Sequence, residues 1–150
     1  MKKINFYADV TEVGFPFIRI NEGKFKGVVL LIDTGSNDNM LFGYAYKQAK
    51  NLLEPVDGVR YLTGIEGIQS KLILTKGTLS FCGKEYSMTF MVRDEDSAGT
   101  MLSEELGFPI AGMIGTKFMV EHGWVIDYAK QAIFIPETDV SVDDLASLKN

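Results

Sequence analysis

Apolar residues recur with a period of two along most of the chain, which is typical of β-strands with one buried face. Phe15, Phe17 and Ile20 precede the polar stretch NEGKFKG, and residues 28–32 then form an unbroken apolar run, VVLLI. A run of this kind is expected of a strand that is buried on both faces. Together the two segments predict a hairpin.

The same alternation predicts more strands further along the chain. Between residues 60 and 93 we expect short strands in a meander, with Tyr86, Met88, Phe90 and Val92 on one face. The stretch WVIDYAKQAIFI predicts a final hairpin. Most of the regular structure is therefore expected to be β.

Helical spacing is found only in short stretches. The stretch LFGYAYKQAKNLL places Leu41, Ala45 and Ala49 on one stripe before Pro55 ends the pattern. We also expect one helical turn at residues 101–106, a short helix in TKFMVEHG, and a terminal helix in SVDDLASLK, which has a capping-box spacing. Because no repeat or linker divides the chain, the sequence predicts a single mostly-β domain over residues 1–150.

Composition and charge exclude several classes of partner. A net charge of −5 with no block of Lys or Arg argues against nucleic acid as a ligand. No apolar run is long enough to span a bilayer, and Asn5 and Asp9 interrupt the apolar stretch that a signal peptide needs. With one cysteine, no disulfide can form within the chain, which fits a reducing compartment. We therefore expect a cytoplasmic protein that does not bind membranes.

The chain has one histidine and one cysteine, which limits the kinds of catalytic and metal site that it could form. The usual His and Cys metal clusters are therefore excluded, and we expect neither a metal nor a cofactor. His122 is expected to interact with the end of a helix, and Cys82, which precedes Gly83, is expected to be a small core or turn residue rather than a nucleophile. No phosphate-binding glycine motif occurs.

Asp33 is the unusual feature, since it directly follows the apolar run and buried carboxylates need a compensating partner. Thr34 and Ser36 provide hydroxyl groups on either side of Gly35. The stretch DTGSNDN is compatible with an ionised acid held at the end of a strand. It is equally compatible with an aspartate that opens a turn or caps the next helix.

Four segments together resemble the retropepsin-like aspartic peptidases, the single-lobe relatives of pepsin. They are the apolar run that ends in DTGS, the hairpin TGIEG, the segment GMIGTKFM, and the hairpin WVIDYAKQAIFI. GMIGTKFM begins about eighty residues after DTGS. They occur in the family's order and cover residues 17–135, with 136–150 left as a tail. The combination is far more specific than DTG alone. The resemblance implies a closed β-barrel of the acid protease type with short helices.

The resemblance also implies roles for particular residues. Asp33 matches the catalytic aspartate, and Thr34 matches the threonine whose hydroxyl bonds to the partner's loop. Gly35 and Ser36 complete the active-site loop, with Ser36 expected to hydrogen-bond the carboxylate. The flap that closes over bound peptide matches Thr63, Gly64, Ile65, Glu66 and Gly67, and the segment that supports the loop matches Gly112, Met113, Ile114 and Gly115.

One departure from the family pattern lies beside these residues. Asn37 replaces the more usual small or hydroxyl residue after Ser36, and Asp38 adds a charge near the site. The departure changes the electrostatic environment of the carboxylate that would act as acid and base.

Hydrolysis of an amide by water needs a base and an acid, which two carboxylates that share one proton supply. The chain contains one Asp-Thr-Gly motif. The resemblance therefore implies that the second carboxylate is Asp33 of the partner subunit, in a homodimer that cleaves polypeptides. Asp127 is the only other carboxylate in an apolar strand context, and we expect it to have a turn or edge role.

Two other functions remain open at this stage. A monomer would keep one arm of the cleft without the second carboxylate, so it would bind extended peptides by strand addition without cutting them. A purely structural dimer would keep the pair of Asp33 side chains as an inactive relic. All three proteins would have the same fold, so only the site can distinguish them.

Overall fold

The computed structural model describes residues 1–63, 67, 69–93 and 97–137. The described chain is mostly β, and its helices are short. In chain order the elements are β1 (Lys2–Asn5), α1 (Val10–Val13), β2 (Phe17–Arg19), β3 (Val29–Asp33), β4 (Asn39–Phe42), α2 (Gly43–Ala49), a 3₁₀ turn (Lys50–Leu52), β5 (Glu54–Thr63), β6 (Gln69–Phe81), β7 (Lys84–Arg93), α3 (Ser97–Leu106), β8 (Gly112–Gly115), α4 (Thr116–His122), β9 (Val125–Asp127) and β10 (Ala132–Ile135).

The described strands form two open sheets. One sheet has the order β1-β10-β9, and the other has the order β2-β3-β8-β4-β7-β6-β5. The closed barrel expected from the resemblance is therefore not formed within the part of the chain that the structure describes. β2 has only three residues, and the one bridge from the segment after it to β6 joins Glu22 to Ser80. So short an edge does not continue the ladder and close the sheet.

Most of the predicted strands and hairpins are confirmed. β2 pairs antiparallel with β3, with Phe17 opposite Leu31. β5, β6 and β7 form the predicted meander, and β9 and β10 form the final hairpin. The strands of the meander are not short as expected, because β5 begins at Glu54 and β6 runs unbroken for 13 residues. The alternation in β7 is also confirmed, because its buried side chains are Tyr86, Met88, Phe90 and Val92.

Three elements differ from the sequence-based expectations. Leu41 lies in β4, so the helix α2 begins at Gly43. The single helical turn expected at residues 101–106 is a longer helix, since α3 extends back to Ser97. β1 pairs with β10, so residues 2–5 belong to the fold although the resemblance began at residue 17.

β3 is buried on both faces, as predicted, and it separates two apolar clusters. Leu30 and Ile32 belong to the larger cluster, which contains most of the buried side chains of β6, β7 and β10. Val29 and Leu31 belong to the smaller cluster, in which Phe17 is fully buried. Because apolar groups fill both faces, the strand is anchored along its whole length up to Asp33.

Two further predictions concern helices. The terminal helix expected at residues 141–149 lies outside the described residues. Among the helices that the structure does describe, none is long and apolar enough to cross a membrane.

Candidate active site

Asp33 is the last residue of β3, and it lies where two parallel strands end together. β3 pairs in parallel with β8, and the final pair in the register is Asp33 with Gly115. The side chain of Asp33 is half-buried, whereas Thr34 and Gly35 are exposed. Because β3 is buried on both faces, it holds the carboxylate of Asp33 at a fixed position on the surface.

Hydrogen bonds within the DTGS stretch hold this carboxylate. The backbone N–H of Gly35 donates to Oδ1 of Asp33 at 3.0 Å. The N–H of Ser36 donates to the carbonyl of Asp33 at 3.2 Å. The hydroxyl of Ser36 donates to the carbonyl of Asp38 at 2.9 Å, which differs from the expected bond to the carboxylate. A backbone amide, not a hydroxyl, is the donor that faces the acid.

The first residues of α4 form hydrogen bonds to the backbone of the loop that follows Asp33. The N–H of Thr116 donates to the carbonyl of Ser36 at 2.7 Å, and its hydroxyl donates to the carbonyl of Thr34 at 2.9 Å. The N–H of Lys117 donates to the carbonyl of Asn37 at 3.1 Å. Three backbone carbonyls of the loop thus have partners on one rigid element, so the loop conformation is fixed by long-range contacts.

Two glycines of the support segment allow this close approach. A Cβ at Gly115 would lie 2.5 Å from the carbonyl oxygen of Asp38, and a Cβ at Gly112 would lie 2.0 Å from that of Met40. Real Cβ atoms do not approach backbone oxygens so closely. Met113 and Ile114 complete β8, and Ile114 is fully buried. The structure therefore brings the predicted support segment, residues 112–115, against residues 37–41.

Gly35 has a similar constraint on the exposed side of the loop. A Cβ at this position would lie 3.2 Å from Oδ1 of Asp33. A side chain there would crowd the carboxylate and the amide that donates to it. The glycine therefore leaves the face of the acid open to a ligand.

Asn39 is a site residue that the sequence analysis missed. Its Oδ1 accepts a hydrogen bond from the N–H of Gly115 at 2.9 Å, and its Nδ2 donates to the carbonyl of Thr89 at 3.2 Å. The side chain thereby connects the end of β8 to β7. An asparagine that closely follows a hydroxyl-rich turn carries no signal for this role, because both of its partners are distant in sequence.

Phe15 is a second residue whose position only the structure reveals. The N–H of Ile32 donates to the carbonyl of Pro16 at 2.9 Å, so Phe15 lies at the Asp33 end of β2. Its ring is 44% exposed and packs edge-on against Phe17, with a centroid distance of 6.2 Å. Side chains alternate along a strand, so Asp33 is on the same face of β3 as Leu31, the partner of Phe17. The register thus places Phe15 at the same end of the β2–β3 pair as Asp33.

The predicted flap lies partly outside the described residues. β5 and β6 form a long hairpin whose last register pair is Thr63 with Gln69. Gly67 has a φ of +78°, the left-handed conformation that favours glycine. Gly64, Ile65 and Glu66 are not among the described residues, so the flap assignment stays a prediction.

His122 and Cys82 lie at the end of a helix and in a turn, respectively. His122 is the last residue of α4, as expected, and its ring contacts Tyr86 and Phe118. Cys82 and Gly83 are the two residues of the turn between β6 and β7, both with positive φ. Burial, reinforced by Glu22, raises the pKa of the Cys82 thiol, which lowers its thiolate fraction at neutral pH.

The charge that Asp38 adds to the loop faces a cation. Its carboxylate lies 3.9 Å from the ammonium group of Lys117, and that lysine is largely exposed. An exposed pair of this kind contributes little to stability. Within the described part of the chain, no three His, Cys, Asp or Glu side chains are grouped so that they could share a metal ion.

The site therefore has one fixed, accessible carboxylate with a backbone donor on one side, and an exposed aromatic residue, Phe15, at the same end of the strand pair. A carboxylate in this setting can accept or donate a proton, but a single one does not supply both a base and an acid to the same amide. A scan of the chain against protein-family models gave no match, and a search among curated proteins gave none either.

Proposed function

We propose that the chain is an aspartic endopeptidase that acts as a symmetric homodimer. The observation that carries the proposal is the position of Asp33, an accessible carboxylate at the end of a strand that is buried on both faces. Its loop is bonded to α4 and packed against β8 without room for a side chain at Gly115. Such a loop supplies the preorganisation that acid-base catalysis needs.

The second carboxylate of the proposed site is Asp33 of the partner subunit. A two-fold axis beside the exposed loop brings the two copies together, because a symmetric interface uses the same patch on both chains. Thr34 is exposed at this edge, and its carbonyl is already held by the hydroxyl of Thr116. Its own hydroxyl then bonds to the loop of the partner, as the resemblance implies.

The proposed mechanism divides the work between the two carboxylates. Two acids at hydrogen-bonding distance share one proton, because both cannot easily be ionised together. The ionised acid takes a proton from a water molecule that attacks the peptide carbonyl, and the protonated acid donates to the carbonyl oxygen. The carboxyl group that took its proton from water then donates it to the leaving nitrogen, and the other carboxylate takes a proton back from a hydroxyl of the tetrahedral intermediate. The C–N bond breaks to give a carboxylic acid and an amine, and the pair again holds one proton. We expect Phe15 to contact an apolar side chain of the substrate.

A peptide-library cleavage assay from acidic to neutral pH tests this proposal. The wild type should cleave with a bell-shaped pH profile whose optimum lies on the acid side of neutral, where the pair holds one proton. Asp33→Asn preserves shape but cannot exchange the proton, so its cleavage rate should fall by about a thousandfold. Light scattering of both proteins provides the control that the dimer is present in each.

The alternative is a monomer that binds extended peptides without cutting them. Among the strands that the structure describes, β5 lies at the edge of the seven-stranded sheet, so its outer side offers a place for strand addition. Peptide binding by a verified monomer, with no cleavage at any pH, would favour this function. A verified dimer that neither binds nor cleaves peptides would favour the inactive relic.

A further inference from the structure

A groove opens at the opposite end of β3 from Asp33. It has a volume of about 320 Å³ and is lined by residues from three segments, 24–29, 41–52 and 109–111. Val29 begins β3 and Asp33 ends it, so about 13 Å of extended strand separates the two places. The groove is therefore distinct from the proposed catalytic site, and binding of a ligand there does not depend on peptidase activity.

The walls of the groove are mostly apolar. Nine of its fourteen lining residues are apolar, among them Phe25, Val28, Ala45 and Pro109. Leu52 also lines it and is 45% exposed, so part of its side chain is open to a ligand. The volume is at the lower end of the range for small-molecule sites, so the groove suits one aliphatic chain.

Hydrogen bonds hold two of the walls in place. In the turn after β2, the N–H of Gly27 donates to the carbonyl of Ile20 at 2.7 Å, and the N–H of Ile20 donates to the carbonyl of Val28 at 2.8 Å. On the other side, the hydroxyl of Tyr44 in α2 donates to the carbonyl of Ile110. A ligand would enter a preformed site and would incur little ordering cost.

The charge around the groove is opposite to that of the whole chain. The three lining segments contain four lysines, at positions 24, 26, 47 and 50, and no Asp or Glu, although the chain has a net charge of −5. Lys24 and Lys26 line the groove itself and are both exposed. A positive edge beside apolar walls is complementary to a molecule with an apolar body and a negative head.

We propose that this groove binds a small amphipathic carboxylate with an unbranched aliphatic chain of medium length. The aliphatic chain lies along Phe25, Val28 and Leu52, where it removes apolar surface from water. The carboxylate meets the ammonium groups of Lys24 and Lys26 at the edge. The volume fits one aliphatic chain, and the charge selects an anion over a neutral or cationic head group.

Calorimetric titration with three probes of equal chain length tests the proposal: decanoate, decanol and decyltrimethylammonium. We expect decanoate to bind the wild type about tenfold more tightly than decanol, and the cation to bind most weakly. Hexanoate should bind at least about tenfold more weakly than decanoate, because less apolar surface is buried. Absence of decanoate binding, or equal binding of the anion and the cation, would overturn the proposal.

A charge-reversal variant makes the test specific to the groove. Lys24→Glu/Lys26→Glu changes two exposed side chains, so the fold is retained, and it should reverse the order of the anionic and cationic probes. Lys130→Glu, which changes an exposed lysine outside the groove, should leave the order unchanged. An unchanged order in the double variant would contradict the assignment of the head group.

Two further measurements distinguish a ligand groove from the catalytic site and from a subunit interface. Asp33→Asn should bind decanoate as the wild type does, so loss of peptidase activity and loss of this site are distinguishable. Light scattering should show the same mass with and without decanoate. If decanoate instead converts a dimer to a monomer, a second copy of the chain is the natural occupant of the groove, and the proposal fails.

Discussion

Asp33 and Asp127 follow the same local pattern, since each ends an apolar strand directly after an isoleucine, yet the structure uses them differently. Oδ1 of Asp127 accepts a hydrogen bond from the N–H of Lys130 at 2.9 Å, inside the turn between β9 and β10. Asp33 ends a strand buried on both faces, and its loop is bonded to α4. Local sequence alone therefore does not distinguish a turn aspartate from a candidate catalytic one.

The two loops differ in how the rest of the fold holds them. The turn after Asp127 is a local hairpin connection, in which the carboxylate bonds to an amide three residues away. The loop after Asp33 is bonded to Thr116 and Lys117 and packs against Gly115, all of which are about eighty residues away in sequence. Both carboxylates accept a bond from an amide of their own turn, since Oδ1 of Asp33 accepts from the N–H of Gly35. Only at Asp33 is the backbone of the loop also bonded to a distant helix, so the position of that carboxylate does not depend on its own turn alone.

The largest expected effect is on cleavage by two matched variants. Asp33→Asn should reduce the cleavage rate by about a thousandfold, because the pair loses the group that exchanges the proton. Asp127→Asn should cleave at the wild-type rate, because an asparagine Oδ1 still accepts the bond from Lys130. Peptide cleavage measured at the pH optimum checks both. Equal losses in the two variants would remove the distinction between the two aspartates.

A steric change behind the loop should have the next largest effect. Gly115→Ala places a Cβ 2.5 Å from the carbonyl oxygen of Asp38, so the loop or β8 must shift. We expect a loss of about 1–3 kcal/mol in the free energy of unfolding, together with reduced cleavage. Ala129→Ser, in the exposed turn after Asp127, should change stability by less than about 0.5 kcal/mol. Urea denaturation of both variants checks this, and wild-type stability in Gly115→Ala would contradict it.

The turn aspartate should show a smaller effect that is confined to stability. Asp127→Ala removes the acceptor for the N–H of Lys130 and should cost about 1 kcal/mol in unfolding free energy. Asp127→Asn should recover most of that loss. Thermal unfolding of the two variants makes the comparison, and an unchanged melting temperature in Asp127→Ala would show that the turn does not need the carboxylate.

A third aspartate gives the smallest effect and a pH dependence. Hydrogen bonds from the side chain and then the backbone of Thr11 hold the pKa of Asp9 below its usual value at the start of α1. A lowered pKa in the folded state means that the contribution to stability is present above the unfolded pKa and is lost as the pH falls through the folded one. The stability difference between the wild type and Asp9→Ala should therefore shrink on acidification. Urea denaturation at several pH values measures it, and a difference that grows in acid would contradict this sign.

The sequence predicts those parts of the fold that depend on local periodicity. The apolar run of β3, the alternation in β7 and the final hairpin all follow from which residues must be buried. The pairing of β1 with β10 does not, because it joins the two ends of the described chain. Leu41 fits a helical stripe equally well, but its pairing in β4 with Val92 and Gly112 draws it into the sheet.

The candidate site was predictable to a similar extent. The DTGS motif and the support segment at residues 112–115 can be recognised in the sequence as short motifs, and the structure brings them together. The direction of the Ser36 hydroxyl was not predictable, because it depends on where the carbonyl of Asp38 lies after the chain turns. The roles inferred for Asn39 and Phe15 depend on cross-strand register, which no local pattern encodes. The closed barrel was expected from the resemblance alone, and the short β2 does not support it.

The central claim is that two copies of Asp33 form one catalytic site, and a subunit-mixing experiment tests it most directly. Wild-type and Asp33→Asn chains are refolded together at a constant total concentration, and cleavage is measured as their ratio is changed. If each site needs both aspartates, activity should fall as the square of the wild-type fraction, so an equal mixture retains about one quarter of the activity. Activity that falls in direct proportion to the wild-type fraction would mean that each chain acts alone, and it would contradict the claim.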